Sequence, residues 1–165
     1  MTASSSLRLA RLIALLVPSA LLGGALISQY VGGLYPCEMC MWQRWPHLLA
    51  ITLSLGAFAA GSRVPLSFTL TALAAASIAS SGVIGAFHAG VEYGWWEGLS
   101  ACAIPATGGS TQALLDSIMS APLTRCDVAP WSMFGISLAG YNAILSLAAA
   151  AAITMLMLRQ DRKIP

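Results

Sequence analysis

Long apolar stretches dominate this chain and alternate with short polar segments. About 20 consecutive apolar residues cross the hydrocarbon core of a bilayer. Stretches of roughly this length occur at about 9–29, 44–61, 65–87 and 133–158. The segments at about 30–43 and 88–132 are then loops on one side of the membrane. The pattern predicts an all-α membrane protein, a four-transmembrane-helix bundle that forms a single domain over residues 1–165.

Composition supports this prediction. The chain is 58% hydrophobic and only 8% charged, and its mean hydropathy is +0.77. A soluble domain of this length needs about three times as much charge. The first stretch could be mistaken for a secretory signal. However, the apolar region of a signal is about 7 to 15 residues long, and no charge interrupts residues 12–28. We therefore expect the first stretch to be a retained helix.

The distribution of charge predicts the orientation of the helices. The net charge is only +2, which indicates no nucleic acid or acidic partner. Segments on the cytoplasmic side of a membrane carry an excess of Lys and Arg near the ends of the spans. Six of the eight basic residues fall on one side: Arg8, Arg11, Arg63, Arg159, Arg162 and Lys163. Both termini are therefore predicted to be cytoplasmic. The two longer loops, which hold all four cysteines, face outward, where disulfides persist.

The first outer loop carries a Cys-x-x-Cys motif. Two residues separate Cys37 from Cys40, which brings both sulfurs to one end of a helix, and Arg44 follows one turn later. If a helix begins near Cys37, its unpaired N–H groups and the Arg44 cation favour a thiolate at Cys40. Because Pro36 and two glycines keep the loop short, we expect the motif to lie at the membrane surface.

The second outer loop holds the other two cysteines, Cys102 and Cys126. An apolar stripe over residues 111–119 predicts a short amphipathic helix lying on the membrane. At the start of this loop, His88 and Glu92 are four residues apart and can share one helix face. They are either an interfacial pair at a helix end or polar groups beside a bound cofactor, and the sequence leaves both interpretations open.

Three interpretations suit the four cysteines. They could form a relay that passes electrons by thiol–disulfide exchange, two disulfides that only staple loops, or a metal site. Structural zinc usually uses two Cys-x-x-Cys pairs, and this chain has one, so no metal is expected. A staple needs no nearby cation, so Arg44 favours the relay. The chain also lacks a Gly-rich phosphate loop, an HExxH motif and a GxSxG motif.

Taken together, these motifs resemble the DsbB family of bacterial disulfide bond formation proteins. The resemblance covers about residues 9–158 and includes the Pro36-Cys37-Glu38-Met39-Cys40 motif with Arg44, the pair His88 and Glu92, the loop cysteines, Cys126-Asp127 with Trp131, and Gly135-x-Ser137-x-Ala139-x-Tyr141-Asn142. It implies a monomeric thiol:quinone oxidoreductase of the bacterial inner membrane, whose active site faces the periplasm. Its partners would be a DsbA-like thioredoxin-fold protein and the quinone pool, and its cofactor ubiquinone or menaquinone.

The resemblance also implies residue roles. A partner thiolate would attack Cys102, and Cys126 would then pair transiently with Cys37, which leaves Cys40 as a thiolate beside the quinone. Arg44 would hold a quinone oxygen and stabilise Cys40, while His88 and Glu92 are candidate quinone contacts and Tyr93 is equally placed. Two alternatives remain open: a disulfide-stapled scaffold or assembly factor, and a vitamin K epoxide reductase-like enzyme, which usually carries its Cys-x-x-Cys in a later helix.

Overall fold

The computed structural model describes residues 5–61, 63–98, 110–112 and 124–161 of the chain. Within them it contains four long helices and one small antiparallel hairpin. In chain order these are α1 (Ser5–Tyr30), α2 (Glu38–Ala59), α3 (Val64–Glu92), β1 (Ser132–Met133), β2 (Ile136–Ser137) and α4 (Leu138–Asp161). Cys102 and most of the predicted helix over 111–119 lie outside the described residues.

Three of the described helices, α1, α3 and α4, are long and apolar enough to cross a membrane. The α2 helix has 22 residues, which gives it a length of about 33 Å at 1.5 Å per residue. Its first half is more polar, because it carries Glu38, Gln43, Arg44 and His47. The protein is therefore a mostly helical, multi-pass membrane protein, while the fourth span, through α2, stays a prediction.

Two helices extend beyond the apolar stretches that predicted them. The α2 helix begins at Glu38 rather than near Arg44, so Cys40 lies in its first turn. The α3 helix continues to Glu92, which places His88 and Glu92 in its last turns. Hydropathy detects only the part of a helix that matches the bilayer core, and both extensions lie at the ends where the cysteines are.

The prediction of an apolar helix from residue 133 was wrong at its start. Met133 pairs with Ile136 in the hairpin, and α4 begins only at Leu138. The two turn residues, Phe134 and Gly135, have φ angles of 52° and 76°. Positive φ at both positions is typical of the two-residue turns that join antiparallel strands, and it is incompatible with a right-handed helix. The chain is thus not purely α-helical.

Small residues let the helices pack closely in a ring in which α1 contacts α2, α2 contacts α3, α3 contacts α4, and α4 returns to α1. The main core is formed largely by alanines with a few larger side chains: Ala10, Ala14, Ala50, Ala74, Ala75, Ile78, Ala149, Ala150, Ile153 and Met157. At Gly85, a Cβ atom would lie 3.0 Å from the carbonyl oxygen of Ala139 and 3.1 Å from the Ala143 nitrogen. The backbones of α3 and α4 therefore touch there, close to the end of the bundle that carries the cysteines.

Candidate active site

The Cys-x-x-Cys motif forms the start of α2. Cys37 is the N-cap residue, with φ −77° and ψ 176°, and its sulfur accepts a hydrogen bond from the Cys40 N–H at 3.4 Å. The two Sγ atoms lie 3.1 Å apart, and both cysteines are free. Since a disulfide requires about 2.05 Å between sulfurs, this is a dithiol whose oxidation to a disulfide would need only a small movement of the two sulfurs.

Cys37 is the sulfur that this arrangement favours as a thiolate. The hydrogen bond from the Cys40 side chain, helped by contact with His88, lowers the pKa of Cys37 from 9.0 to about 4, although burial opposes the shift. Our prediction that the helix N-terminus favours a thiolate at Cys40 was wrong for the dithiol form. The reason is positional, because the capping residue receives the helix N–H hydrogen bond, and that residue is Cys37.

His88 and Glu92 lie beside these sulfurs. His88 Nε2 is 3.6 Å from the Cys37 sulfur and 3.8 Å from Glu92 Oε1. Both side chains are only 2% exposed, so they are a buried pair facing the dithiol and not an interfacial pair in water. Glu92 also accepts a hydrogen bond from the Ser137 hydroxyl at the end of the hairpin. The hairpin therefore helps to position the carboxylate.

Tyr93 contacts the hairpin through its hydroxyl group. Its hydroxyl donates to the Gly135 carbonyl at 3.0 Å and accepts from the Ser137 N–H at 3.1 Å. These bonds tie the end of α3 to the hairpin. Tyr93 thus supports the hairpin that positions Glu92.

Cys126 reaches the same region from the second loop. It is disulfide-bonded and 3% exposed, and it belongs to one buried cluster with Cys37, Met39 and Val91, against which Cys40 packs. The structure thus brings three of the four cysteines together. Cys102 lies outside the described residues.

A cavity of about 240 Å³ opens on the Cys40 side of the site. Small and apolar residues of α1 line one wall, while Cys40, Arg44, His88 and Glu92 supply polar groups. The Arg44 guanidinium donates to Gln29 Oε1 at 2.5 Å and to the Ala25 carbonyl at 3.3 Å. Arg44 therefore bridges α2 to α1 at the cavity wall, where its remaining donors can meet a ligand.

A second cavity of about 330 Å³ lies on the loop side. It shares Cys40 and His88 with the first cavity and is also lined by Cys37 and by residues 124 and 125 of the second loop. The dithiol and His88 thus stand between a cavity lined by the helices and one lined by the loops. Such a position suits a group that exchanges electrons between two different reactants.

A buried polar network that was not predicted from the sequence begins next to Cys40. It consists of Gln43, His47, Ser81, Asn142 and Ser146, which hydrogen-bond to one another and, through Gln43, to His88. A signal was present, because Cys40, Gln43 and His47 are spaced three and four residues apart and so share one helix face. Polar residues inside a predicted span are candidates for function by default.

The same dithiol could also bind a metal ion. The ligand atoms of Cys37, Cys40 and His88 lie within 4.8 Å of one another, the one such group found among the described residues. Thiolate and imidazole are ligands that zinc accepts. The donor set therefore allows a metal as well as redox chemistry.

The fold and the site define a class: a helical membrane protein with a Cys-x-x-Cys redox centre at one end of its bundle. Residues 7–156 match the family model described as Disulfide bond formation protein DsbB. The chain belongs to the DsbB family, and it is accordingly an oxidoreductase of disulfide bond formation in a membrane.

Two relatives illustrate the relationship. The chain is 30% identical over 157 residues, covering 85% of both chains, to the Disulfide bond formation protein B of Azoarcus sp. (strain BH72). It is 32% identical over 130 residues, 76% of this chain and 73% of the relative, to the uncharacterized protein RP370 of Rickettsia prowazekii (strain Madrid E). No solved structure matches the chain.

Proposed function

We propose that this protein oxidises a DsbA-like thioredoxin-fold dithiol protein in the periplasm and delivers the electrons to a quinone in the bacterial inner membrane. The observation that carries the proposal is that Cys126, from the second loop, shares one buried cluster with Cys37 while Cys40 lines the helix-side cavity. A sulfur relay needs this order of contacts.

The relay is a sequence of thiol–disulfide exchanges. The partner's thiolate attacks Cys102 and breaks its bond to Cys126, and the partner's second thiol then releases Cys102 by forming the partner's own disulfide. Cys126 attacks Cys37 in the oxidised Cys-x-x-Cys, which releases Cys40 as a thiolate. Attack by Cys102 on Cys126 restores the loop disulfide and frees Cys37. Each exchange forms one sulfur–sulfur bond and breaks one.

The low pKa of Cys37 supports its place in this order. A thiol of low pKa leaves a disulfide faster than an ordinary thiol, and the pKa of Cys37 is held at about 4 by Cys40 and His88. Once Cys40 has taken up a proton and His88 lies against the sulfur, Cys37 is therefore a good leaving group when Cys102 attacks the Cys126–Cys37 bond. The final step returns Cys37 and Cys40 to a disulfide, which releases two electrons and the protons of the dithiol.

The residues of the helix-side cavity fit a quinone head. A quinone takes up two electrons and two protons, so it can accept everything that the dithiol releases. Its ring is flat and apolar and its oxygens accept hydrogen bonds, which matches a cavity with apolar α1 residues and the donors of Arg44. The volume of about 240 Å³ suits one ring with small substituents, being slightly below the roughly 300 Å³ at which pockets for drug-sized ligands begin.

The stapled-scaffold alternative explains less. A scaffold has no use for a free dithiol in which the pKa of Cys37 is lowered, nor for a buried histidine and carboxylate next to it. Such perturbed groups concentrate at functional sites. The vitamin K epoxide reductase-like alternative loses its support because the chain belongs to the DsbB family.

The test is quinone reduction by the detergent-purified protein with a reduced thioredoxin-fold dithiol protein as donor. We expect turnover in the wild type and none in Cys40→Ser, with the mutant still folded. Trapping with a donor that lacks its second cysteine should capture the wild type as a mixed disulfide but not Cys102→Ser. Absence of quinone reduction, with all four cysteines permanently paired, would reject the relay in favour of the scaffold. Stoichiometric zinc in the reduced protein, with no turnover, would favour the metal site.

A further inference from the structure

A chain of hydrogen bonds behind His88 takes no part in the relay described above. Gln43 Nε2 lies 2.9 Å from His88 Nδ1, and Asn142 Nδ2 donates to Gln43 Oε1 at 2.8 Å. The Gln43 and His88 side chains are almost inaccessible, since the residues are 7% and 1% exposed. Buried polar groups of this kind are costly unless they are fully paired, so the direction of each hydrogen bond matters.

Backbone carbonyls fix the orientation of both amides. Gln43 Nε2 also donates to the Met39 carbonyl at 3.1 Å, and Asn142 Nδ2 also donates to the Ser81 carbonyl at 3.2 Å. A carbonyl oxygen can only accept, so the NH₂ group of each amide must face it. Turning the Gln43 amide around would set its oxygen against the Met39 oxygen and its NH₂ against that of Asn142.

The fixed amide then determines which nitrogen of His88 carries the proton. Because the NH₂ group of Gln43 faces His88 Nδ1, that nitrogen must be the acceptor. A neutral imidazole has one N–H, which is therefore on Nε2. This nitrogen is the one that lies 3.6 Å from the Cys37 sulfur and 3.8 Å from Glu92 Oε1.

We propose that Gln43, anchored by Asn142, is a positioning residue that fixes the ring proton of His88 on Nε2, so that His88 donates toward the Cys37 thiolate. The opposite tautomer would place a nitrogen lone pair against the negative sulfur. This inference deepens the proposed function, on which it rests for its purpose: it names the groups that keep Cys37 a good leaving group during the exchange.

Other groups also face Cys37. They are Cys40 on α2 and Glu92 on α3, while Arg125 of the second loop lines the same loop-side cavity as Cys37 and pairs with Asp127. Among the described residues, Gln43 makes its side-chain hydrogen bonds with Met39, His88 and Asn142. A change at Gln43 therefore reaches Cys37 through His88.

The chain offers a direct spectroscopic test, because it has only two histidines. In reduced protein labelled with ¹⁵N-histidine, imidazole nitrogen shifts separate protonated from unprotonated nitrogens, and a His47→Leu variant assigns the two rings. We expect His88 to carry its proton on Nε2 alone in the wild type. In Gln43→Glu the side chain is an acceptor when ionised, so His88 Nδ1 should become protonated. A protonated His88 Nδ1 in the wild type overturns the inference, as does an unchanged His88 in Gln43→Glu.

The second readout is the pH dependence of Cys37 alkylation in the reduced protein. Gln43→Leu lets the His88 ring choose either tautomer, and we expect the alkylation midpoint to rise by roughly one pH unit, a tenfold loss of thiolate. Gln29→Leu is the matched control, because the described side-chain hydrogen bond of Gln29 is to Arg44 and not to His88, and its alkylation midpoint should not move. Equal alkylation midpoints in Gln43→Leu and Gln29→Leu would contradict the proposal. If Gln43→Leu does not fold, the isosteric Gln43→Glu still decides the matter through the histidine spectrum.

Neither readout uses a quinone or a partner protein. Failure of quinone reduction with the expected His88 tautomer would therefore reject the proposed function alone. Normal turnover with the opposite tautomer would reject the role of Gln43 alone.

Discussion

At the scale of single residues, the two cysteines of the motif are chemically unequal although they are three residues apart. Cys37 caps α2 and accepts a hydrogen bond from the Cys40 N–H, and as a thiolate it also accepts one from the Cys40 thiol. Cys40 instead faces the helix-side cavity with Arg44. Cys37 thus shares a buried cluster with Cys126, whereas Cys40 is the one of the two motif cysteines that lines the helix-side cavity.

Replacing Cys40 by alanine should raise the pKa of Cys37. The Cys40 side chain is the largest contributor to the lowered pKa of about 4. In the wild type the Cys37 thiolate exists above about pH 4 and is lost below it, so alkylation should persist well below neutral pH. In Cys40→Ala the midpoint should move toward the ordinary value of 9.0. Cys40→Ser, which keeps a donor, should lie between, and equal midpoints in all three proteins would contradict this account.

Arg44 should affect quinone binding more than folding. Loss of hydrogen bonds from a charged group costs about 1.5 to 3 kcal/mol, so Arg44→Ala should raise the apparent quinone KM by roughly 10- to 150-fold. Gln29→Leu removes the partner of Arg44 but keeps the cation, and its KM should change less. Steady-state kinetics at saturating donor would measure both, and an unchanged KM in Arg44→Ala would remove Arg44 from the site.

At the scale of elements, the site is built where the ends of α2, α3 and α4 meet the hairpin. The close contact at Gly85 sets the distance between α3 and α4 there, and Asn142 on α4 reaches Gln43 on α2 across the same gap. The hairpin contributes Ser137, whose hydroxyl holds Glu92. The geometry around the dithiol thus depends on helix packing and not only on local sequence.

A pair of Gly→Ala substitutions should separate packing from helix propensity. Alanine is favoured over glycine inside a helix by about 1 kcal/mol. At Gly24 nothing lies within 4 Å of the added Cβ, whereas at Gly85 it would meet backbone atoms of α4 at 3.0 to 3.1 Å. Thermal unfolding in detergent should show Gly24→Ala unchanged or slightly stabilised. Gly85→Ala should lower the free energy of unfolding by about 1 to 3 kcal/mol, the usual cost of overpacking. If both variants were stabilised, α3 and α4 would be free to move apart at this contact.

At the scale of the whole molecule, the helices form a ring that leaves the redox centre at one end. Three helices are apolar enough to span the membrane, and α2 matches its thickness in length but carries polar residues in its first half. Two of those residues, Gln43 and His47, face inward and are 7% and 3% exposed, whereas Glu38 at the start of the helix is exposed. The polarity of α2 is therefore compatible with a fourth span, because its cost is met by hydrogen bonds inside the bundle.

Reporter fusions would test the topology. If α2 spans the membrane, a fusion at Gly61 lies on the cytoplasmic side with Arg63, and a fusion at Trp96 lies on the periplasmic side. We expect alkaline phosphatase to be active at Trp96 and inactive at Gly61. Activity at Gly61 would mean that α2 does not cross, and would place the turn before α3 on the same side as the cysteines.

The helical membrane class, the approximate helix positions and the cysteine motif could all be predicted from the amino-acid sequence. Hydropathy and motif spacing are local properties of the sequence. A long apolar segment in a bilayer forms a helix because its backbone N–H and C=O groups must hydrogen-bond to one another. The sequence also indicated that His88 and Glu92 share a face, which their 3.8 Å separation confirms.

Three features became visible only in the folded chain: which sulfur is the favoured thiolate, where the hairpin replaces helix, and which polar residues surround His88. Gln43 is 45 residues from His88 and 99 from Asn142 along the chain, so no sequence period connects them. Their contacts exist because α2, α3 and α4 pack closely enough for buried polar groups to need one another as hydrogen-bond partners.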